Sequence, residues 1–250
     1  MPQSTNLSVE PQGVEAYYTN VEHLRDLFNQ MLLAPSLSKR LLIIHGVGGV
    51  GKSSLLRMFR LHCKGVRVPV ALASGDDPDV RSTVDVLAEW ADELKAQDVK
   101  LPSFAKDYQH RRALQARVDS EASKVAKKAG TAVAKTAAET ALSTIPGLGP
   151  ILGKLGGVGV EALMDWLLGK GFTKPDVDLL LDPEKRLTDD FLEDLSGIAS
   201  TQRVVLMLDT YEQMTTYDNW MRECAQRLHP NVLLVIAGRE MVNWDRLWPG

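Results

Sequence analysis

The residues with the clearest chemical purpose form one run, Gly46-Val47-Gly48-Gly49-Val50-Gly51-Lys52-Ser53, followed by Ser54. It fits G-x-x-x-x-G-K-[ST] without a mismatch. Glycines let the backbone fold tightly enough for successive N–H groups to face phosphate oxygens, and a helix opening at the lysine adds its positive dipole end. Lys52 brings a point charge to the β- and γ-phosphates, and the Ser53 hydroxyl suits Mg²⁺. The chemistry implied is capture of a nucleotide's phosphates. A glycine-rich turn that merely carries Lys-Ser is the alternative, and the flanking segments decide between the two.

Three further side chains fit the same chemistry. Asp209 closes the apolar run Val204 to Leu208, where a carboxylate at a strand end can hold Mg²⁺ through water; the plainer reading is a strand-capping Asp. Glu212 follows three residues later and either orients an attacking water or is a solvated acid at a helix start. Arg239 follows the apolar run Val232 to Ala237 and Gly238. There it either meets a γ-phosphate at the crevice of an α/β sheet or makes a surface ion pair with Glu240 or Asp245.

These residues need elements that carry them to one place. Arg40 to His45 is an unbroken apolar run ending in glycine, the pattern of a strand buried on both faces of a parallel sheet. A helix is expected over Lys52 to His62, and a second strand over Val66 to Leu72 at a sheet edge, because Pro69 cannot donate to a ladder. Pro78 reads as the first residue of a helix reaching Gln97. Val204 to Asp209 and Val232 to Gly238 are two more buried strands, with helices over Thr188 to Ala199 and Thr215 to Leu228. A further amphipathic helix runs from Val14 toward a stop at Pro35, after a loose, polar stretch over residues 1 to 13. Strands alternating with helices predict an α/β fold with a three-layer parallel sheet.

Far more chain lies between Lys52 and Asp209 than two βα units of ~30 residues require. A largely helical insertion over about residues 100 to 180 is therefore expected. Lys106 to Ala141 is rich in Ala and Lys, and Leu114, Val118, Val125, Ala129 and Val133 form a narrow seam of one or two long helices. Its eight Lys and Arg against four Asp and Glu make it locally basic, which fits a solvated helical face or a surface for acidic partners. Gly149, Gly153 and Gly157 repeat every fourth residue, as on a close helix-packing face, within the monomer or at an oligomer or effector contact. Prolines and charges interrupt that stretch too soon for a membrane span. Thr173-Lys174-Pro175-Asp176 imitates a guanine-reading motif by accident, since it precedes the Asp209 strand.

Taken together, Gly46 to Leu56 (GVGGVGKSSLL), Leu206 to Gln213 (LMLDTYEQ) and Ile236 to Glu240 (IAGRE) resemble the nucleotide-binding module of STAND NTPases, the signal-transducing relatives of AAA+ ATPases that include NB-ARC and NACHT proteins. The resemblance covers about residues 14–60 and 200–248. It implies a P-loop NTPase sheet of the AAA+-like kind and a regulatory ATP/ADP switch with slow Mg²⁺-dependent hydrolysis, which self-associates on binding ATP. It also implies that Asp209 is the Mg²⁺ acid, that Arg239 is the sensor arginine, and that the neighbourhood of Tyr18 to Val21 contacts adenine. Thr210 stands where many relatives place a second acid, so turnover would either be slow or depend on Glu212. The family's helical lid, winged helix and sensing repeats are not found before Gly250, and a truncated chain is expected. Competing readings are a small-molecule or nucleoside kinase, with Arg111 and Arg112 as its lid arginines, and a motor-type AAA+ ATPase.

Composition narrows these readings without choosing among them. The 250 residues are 44% hydrophobic and 24% charged, with a net charge of −3, which excludes a wholly disordered chain and argues against duplex nucleic acid as the main partner. The polar, uncharged start lacks the regions of a secretory signal, and Cys63 and Cys224 have no metal-site spacing. A cytoplasmic location with buried, reduced thiols is expected.

Overall fold

The computed structural model describes residues 21–129 and 160–240. In chain order the elements are α1 (Glu22–Leu33), β1 (Leu41–His45), α2 (Lys52–Gly65), β2 (Val70–Ser74), α3 (Thr83–Lys95), α4 (Pro102–Ala129), α5 (Val160–Gly169), α6 (Lys174–Leu181), α7 (Pro183–Ala199), β3 (Val204–Asp209), two short 3₁₀ turns, α8 (Asp218–Arg227) and β4 (Val232–Gly238). The four strands form one all-parallel sheet in the order β1-β4-β3-β2. The fold is α/β, as the alternating pattern predicts.

Every residue of β3 and β4 is buried, so both faces of the sheet are covered. On one face Val205, Met207, Leu233 and Val235 join Leu55, Leu56 and Phe59 of α2 and Phe28 of α1. Phe28 stacks on Phe59 with ring centroids 3.9 Å apart. Arg203 fastens α1 to the base of the sheet by donating to the Met31 and Leu32 carbonyls and to Asn231 Oδ1, so a cation meets the carbonyl end of the helix. On the other face Val204, Leu206, Leu234 and Ile236 pack with α3, α4 and α7 through Trp90, Phe104 and Phe191. Leu163, Leu167, Phe172, Val177 and Leu180, from the stretch expected to be an insertion, belong to that same apolar cluster.

Several boundaries differ from the sequence expectation. The second strand begins at Val70 because α2 runs on to Gly65 and the chain leaves it through a left-handed Arg67 (φ 61°). It is an edge strand, as Pro69 suggests, and the Pro69 carbonyl still accepts from Val205 N at 2.9 Å. Pro78 does not open α3. Asp77 Oδ1 takes the Asp79 N–H at 2.9 Å in a local turn, and Ser82, which accepts from Asp85 N and donates to its Oδ2, caps the helix instead. Residues 215–217 form a 3₁₀ turn, so α8 starts at Asp218, and α7 starts five residues before Thr188, at Pro183.

The Thr173-to-Asp176 run acquires a structural purpose. Thr173 caps α6, Pro175 sits in its first turn, and Asp176 returns a bond to the Thr173 backbone, a complete capping box. Cooperation of the Thr173 hydroxyl and backbone, with help from His110, holds the Asp176 carboxyl down at about 2. Leu114 and Val118 of the predicted α4 seam are buried; Val133 and the glycines at 149, 153 and 157 lie outside the described residues, as do residues 1–20. Both cysteines are buried, and burial pushes each thiol up to about 12, which leaves them without thiolate character at neutral pH. Among the described residues no helix is long and apolar enough to cross a membrane.

Candidate functional site at the carboxyl edge of the sheet

Because all four strands are parallel, their carboxyl ends share one edge, where α/β sheets receive ligands. The register places His45 beside Gly238, Leu208 beside Ile236 and Ser74 beside Asp209. The Gly46–Ser53 loop, Arg239, the Asp209–Glu212 turn and the Gly75–Asp77 turn therefore all leave the sheet on the same side.

The loop connects β1 directly to α2. Gly49 (φ 82°) and Gly51 (φ 90°) both lie in the left-handed region, and Gly51 is the residue from which α2 starts. A side chain at either position would be strained. Val47 and Val50, at two of the four variable positions, point outward and are 72% and 55% exposed. Lys52 folds back over the loop, donating from Nζ to the Gly46 carbonyl at 2.7 Å and the Val47 carbonyl at 3.0 Å. Its charge is thus held within the curve of the loop. Ser53 and Ser54 follow in the first turn of α2, both half-buried.

Asp209 ends β3 and is buried, its Oδ1 accepting from the Thr210 N–H at 2.9 Å. With β4 between β1 and β3, Asp209 stands two strands from the loop strand, about 10 Å at the usual strand spacing. That interval suits a phosphate chain and a hydrated cation lying between loop and carboxylate. Among the described residues no group of three or more His, Cys, Asp or Glu could by itself hold a metal ion.

Arg239 and Glu212 are brought together. Glu212 Oε1 lies 2.9 Å from Arg239 Nε, and Oε2 accepts the Arg239 backbone N–H at 2.9 Å. Arg239 thus has an ion-pair partner in Glu212; Asp245, one of the two acids expected to pair with it, lies outside the described residues. A Cβ on Gly48 would lie 3.8 Å from Arg239 Nε, so the arginine also borders the glycine loop, with its side chain 65% exposed. Tyr211, buried beneath this turn, donates its hydroxyl to Asp218 Oδ1 at 2.9 Å, and burial raises its pKa.

The chain matches no known family model and no curated protein.

One component was not read from the sequence. Thr210 adopts a left-handed conformation (φ 53°, ψ 47°), at a cost of about 1–2 kcal/mol for a β-branched residue. Its hydroxyl donates to Asp76 Oδ2 at 3.0 Å, and the Gly75 N–H donates to the Asp209 carbonyl at 3.0 Å. The Ser74-Gly75-Asp76-Asp77 turn signal was available, but a strand ended at Leu72 leaves it two residues short of the edge. Gly75 is needed for this approach, since a Cβ there would lie 2.5 Å from the Thr210 carbonyl oxygen and 2.9 Å from Gln213 Cβ. Gly75→Ala is expected to destabilise the protein by about 1–3 kcal/mol through overpacking, measured by urea unfolding. An unchanged midpoint would mean that the two turns are not tightly joined.

Arg111 and Arg112, weighed as lid arginines of a kinase, lie on α4 with Phe104, Leu114 and Val118, in the helical layer on the face opposite α2. The structure does not bring them to the Gly46–Ser53 loop.

Proposed function

We propose that this chain is the nucleotide-binding module of a STAND-type P-loop NTPase, a regulatory switch that holds ATP or ADP with Mg²⁺, hydrolyses ATP slowly and changes its self-association with the nucleotide bound. The observation that carries this reading is the convergence of the loop, Asp209 and the Glu212–Arg239 pair on one sheet edge, with β4 opening a one-strand gap between loop and acid. Gly46 to Gly51 and the α2 N-terminus receive the phosphates, with Val47 and Val50 contributing backbone alone. Lys52 exchanges its two loop carbonyls for phosphate oxygens. Ser53 and Asp209 hold Mg²⁺, which supplies charge neutralisation on the phosphate oxygens when bound, and Ser54 extends the cradle.

Arg239 tells ATP from ADP. A terminal phosphate arriving beside Gly48 meets an arginine whose backbone N–H and Nε are already engaged by Glu212, and the remainder of the guanidinium turns to the phosphate. Glu212 in this reading orients Arg239 in place of the attacking water. A kinase reading gains no support, because its candidate lid arginines lie on the other face of the sheet.

Asp209→Asn keeps the shape and the bond from Thr210 while removing the charge. Binding of ATP with Mg²⁺, compared with ATP and a chelator by calorimetry, is expected to lose most of its metal enhancement, roughly a 10-fold effect or more. Metal dependence identical to wild type would reassign Asp209 to a structural role.

A further inference from the structure

We infer that Asp76 is the carboxylate that accepts the proton of the attacking water, working from the end of β2 through its contact with Thr210. This inference rests on the nucleotide-binding reading above and assigns a part of the site that reading leaves empty. Hydrolysis at the edge occupied by Lys52 and Asp209 needs a general base near the end of β3. Thr210 follows Asp209 directly, and a neutral hydroxyl is a poor base. Glu212 has both oxygens committed to Arg239, at 2.9 Å each. Asp209 is buried and is the charge available to the cation.

Asp76 supplies what is missing. It is exposed, and its Oδ2 takes the Thr210 hydroxyl at 3.0 Å. Oδ1 receives no hydrogen bond from the described residues. The register pairs Ser74 with Asp209, and the bond across to Thr210 ties the carboxylate two residues past the end of β2 to the residue that follows Asp209. In the reaction the water oxygen bonds to the γ-phosphorus as the bond from that phosphorus to the β–γ bridging oxygen breaks. The electron pair of the broken bond stays on ADP, and the water's proton passes to Asp76 Oδ1 and then to solvent, giving ADP, phosphate and a proton. Thr210 orients the carboxylate and is a positioning residue.

The test is Asp76→Asn in the full chain, with Asp77→Asn as a neighbouring control. Calorimetric affinities for ATP and ADP are expected to stay within about twofold of wild type, while single-turnover ATP hydrolysis falls on the order of 100-fold, as for loss of a general base. Asp76→Glu should recover part of the rate, and Asp77→Asn should keep all of it. Thermal melting of each variant checks the fold, and the exposed position makes it insensitive. Hydrolysis by Asp76→Asn at the wild-type rate overturns the inference and leaves nucleotide binding standing; so does a wild-type chain that binds ATP without turning it over. A wild-type chain that binds neither nucleotide overturns both.

Discussion

Lys52→Ala is expected to weaken ATP and ADP alike by roughly 100-fold, because a charge-assisted bond to phosphate contributes about 1.5–3 kcal/mol and Lys52 offers more than one. The lysine is already placed for this, its Nζ within 3.0 Å of two loop carbonyls that compete poorly with a phosphate. The loop itself is held by its glycines and by α2, so the fold should survive. A half-buried surface change of this kind shifts stability by about 0.5 kcal/mol, or ~2 °C in melting temperature for a chain of this size. Calorimetric titration of the variant beside a thermal melt separates loss of the site from loss of the fold. Undiminished affinity for either nucleotide would remove the lysine from the phosphates.

Arg239→Ala is expected to act on one nucleotide only. Removing a guanidinium that meets the γ-phosphate should weaken ATP by about 10- to 100-fold, the equivalent of about 1.4–3 kcal/mol, and leave ADP nearly untouched. The Glu212 pairing sharpens this expectation. In the variant Glu212 keeps its bond to the residue 239 N–H but loses the Nε partner, so an uncompensated carboxylate remains beside the loop and adds repulsion toward the more highly charged nucleotide. An equal loss for ATP and ADP would mean that Arg239 supports the loop and does not read the third phosphate.

Much of the architecture was legible because hydrophobic patterning encodes it strongly. Continuous apolar runs at Leu41–His45, Val204–Asp209 and Val232–Gly238 each form a strand where expected; β3 and β4 are covered on both faces, whereas in the edge strand β1 only Leu42 and Ile44 are buried and His45 is exposed. Caps were harder to read. Pro78 looked like a helix start because proline suits a first turn, yet the local bond from Asp79 to Asp77 and the Ser82 cap compete more effectively. Thr173 to Asp176 carries a motif-like spelling whose physical purpose is a capping box.

The site was legible along the chain but not across it. Loop, acid and arginine can each be picked out by type and by position against an apolar run. Which acid meets which base depends on strand order, and no local pattern specifies that order. Glu212 lies 27 residues from Arg239, and Asp76 lies 134 residues from Thr210, so both pairings arise only once β2, β3 and β4 lie side by side. The stretch expected to be an insertion shows the same limit. Its excess length is visible, while the burial of Leu163, Leu167 and Leu180 in the cluster beneath β3 and β4 is a product of packing.

Whether this sheet edge holds a nucleotide by its phosphates is decided by titrating the wild-type chain with ATP and with ADP, each with Mg²⁺ and with a chelator. Saturable binding of one nucleotide per chain is expected at micromolar affinity or tighter, about −8 kcal/mol, with ATP more dependent on Mg²⁺ than ADP. Absence of binding heat for both nucleotides up to millimolar concentration would contradict it.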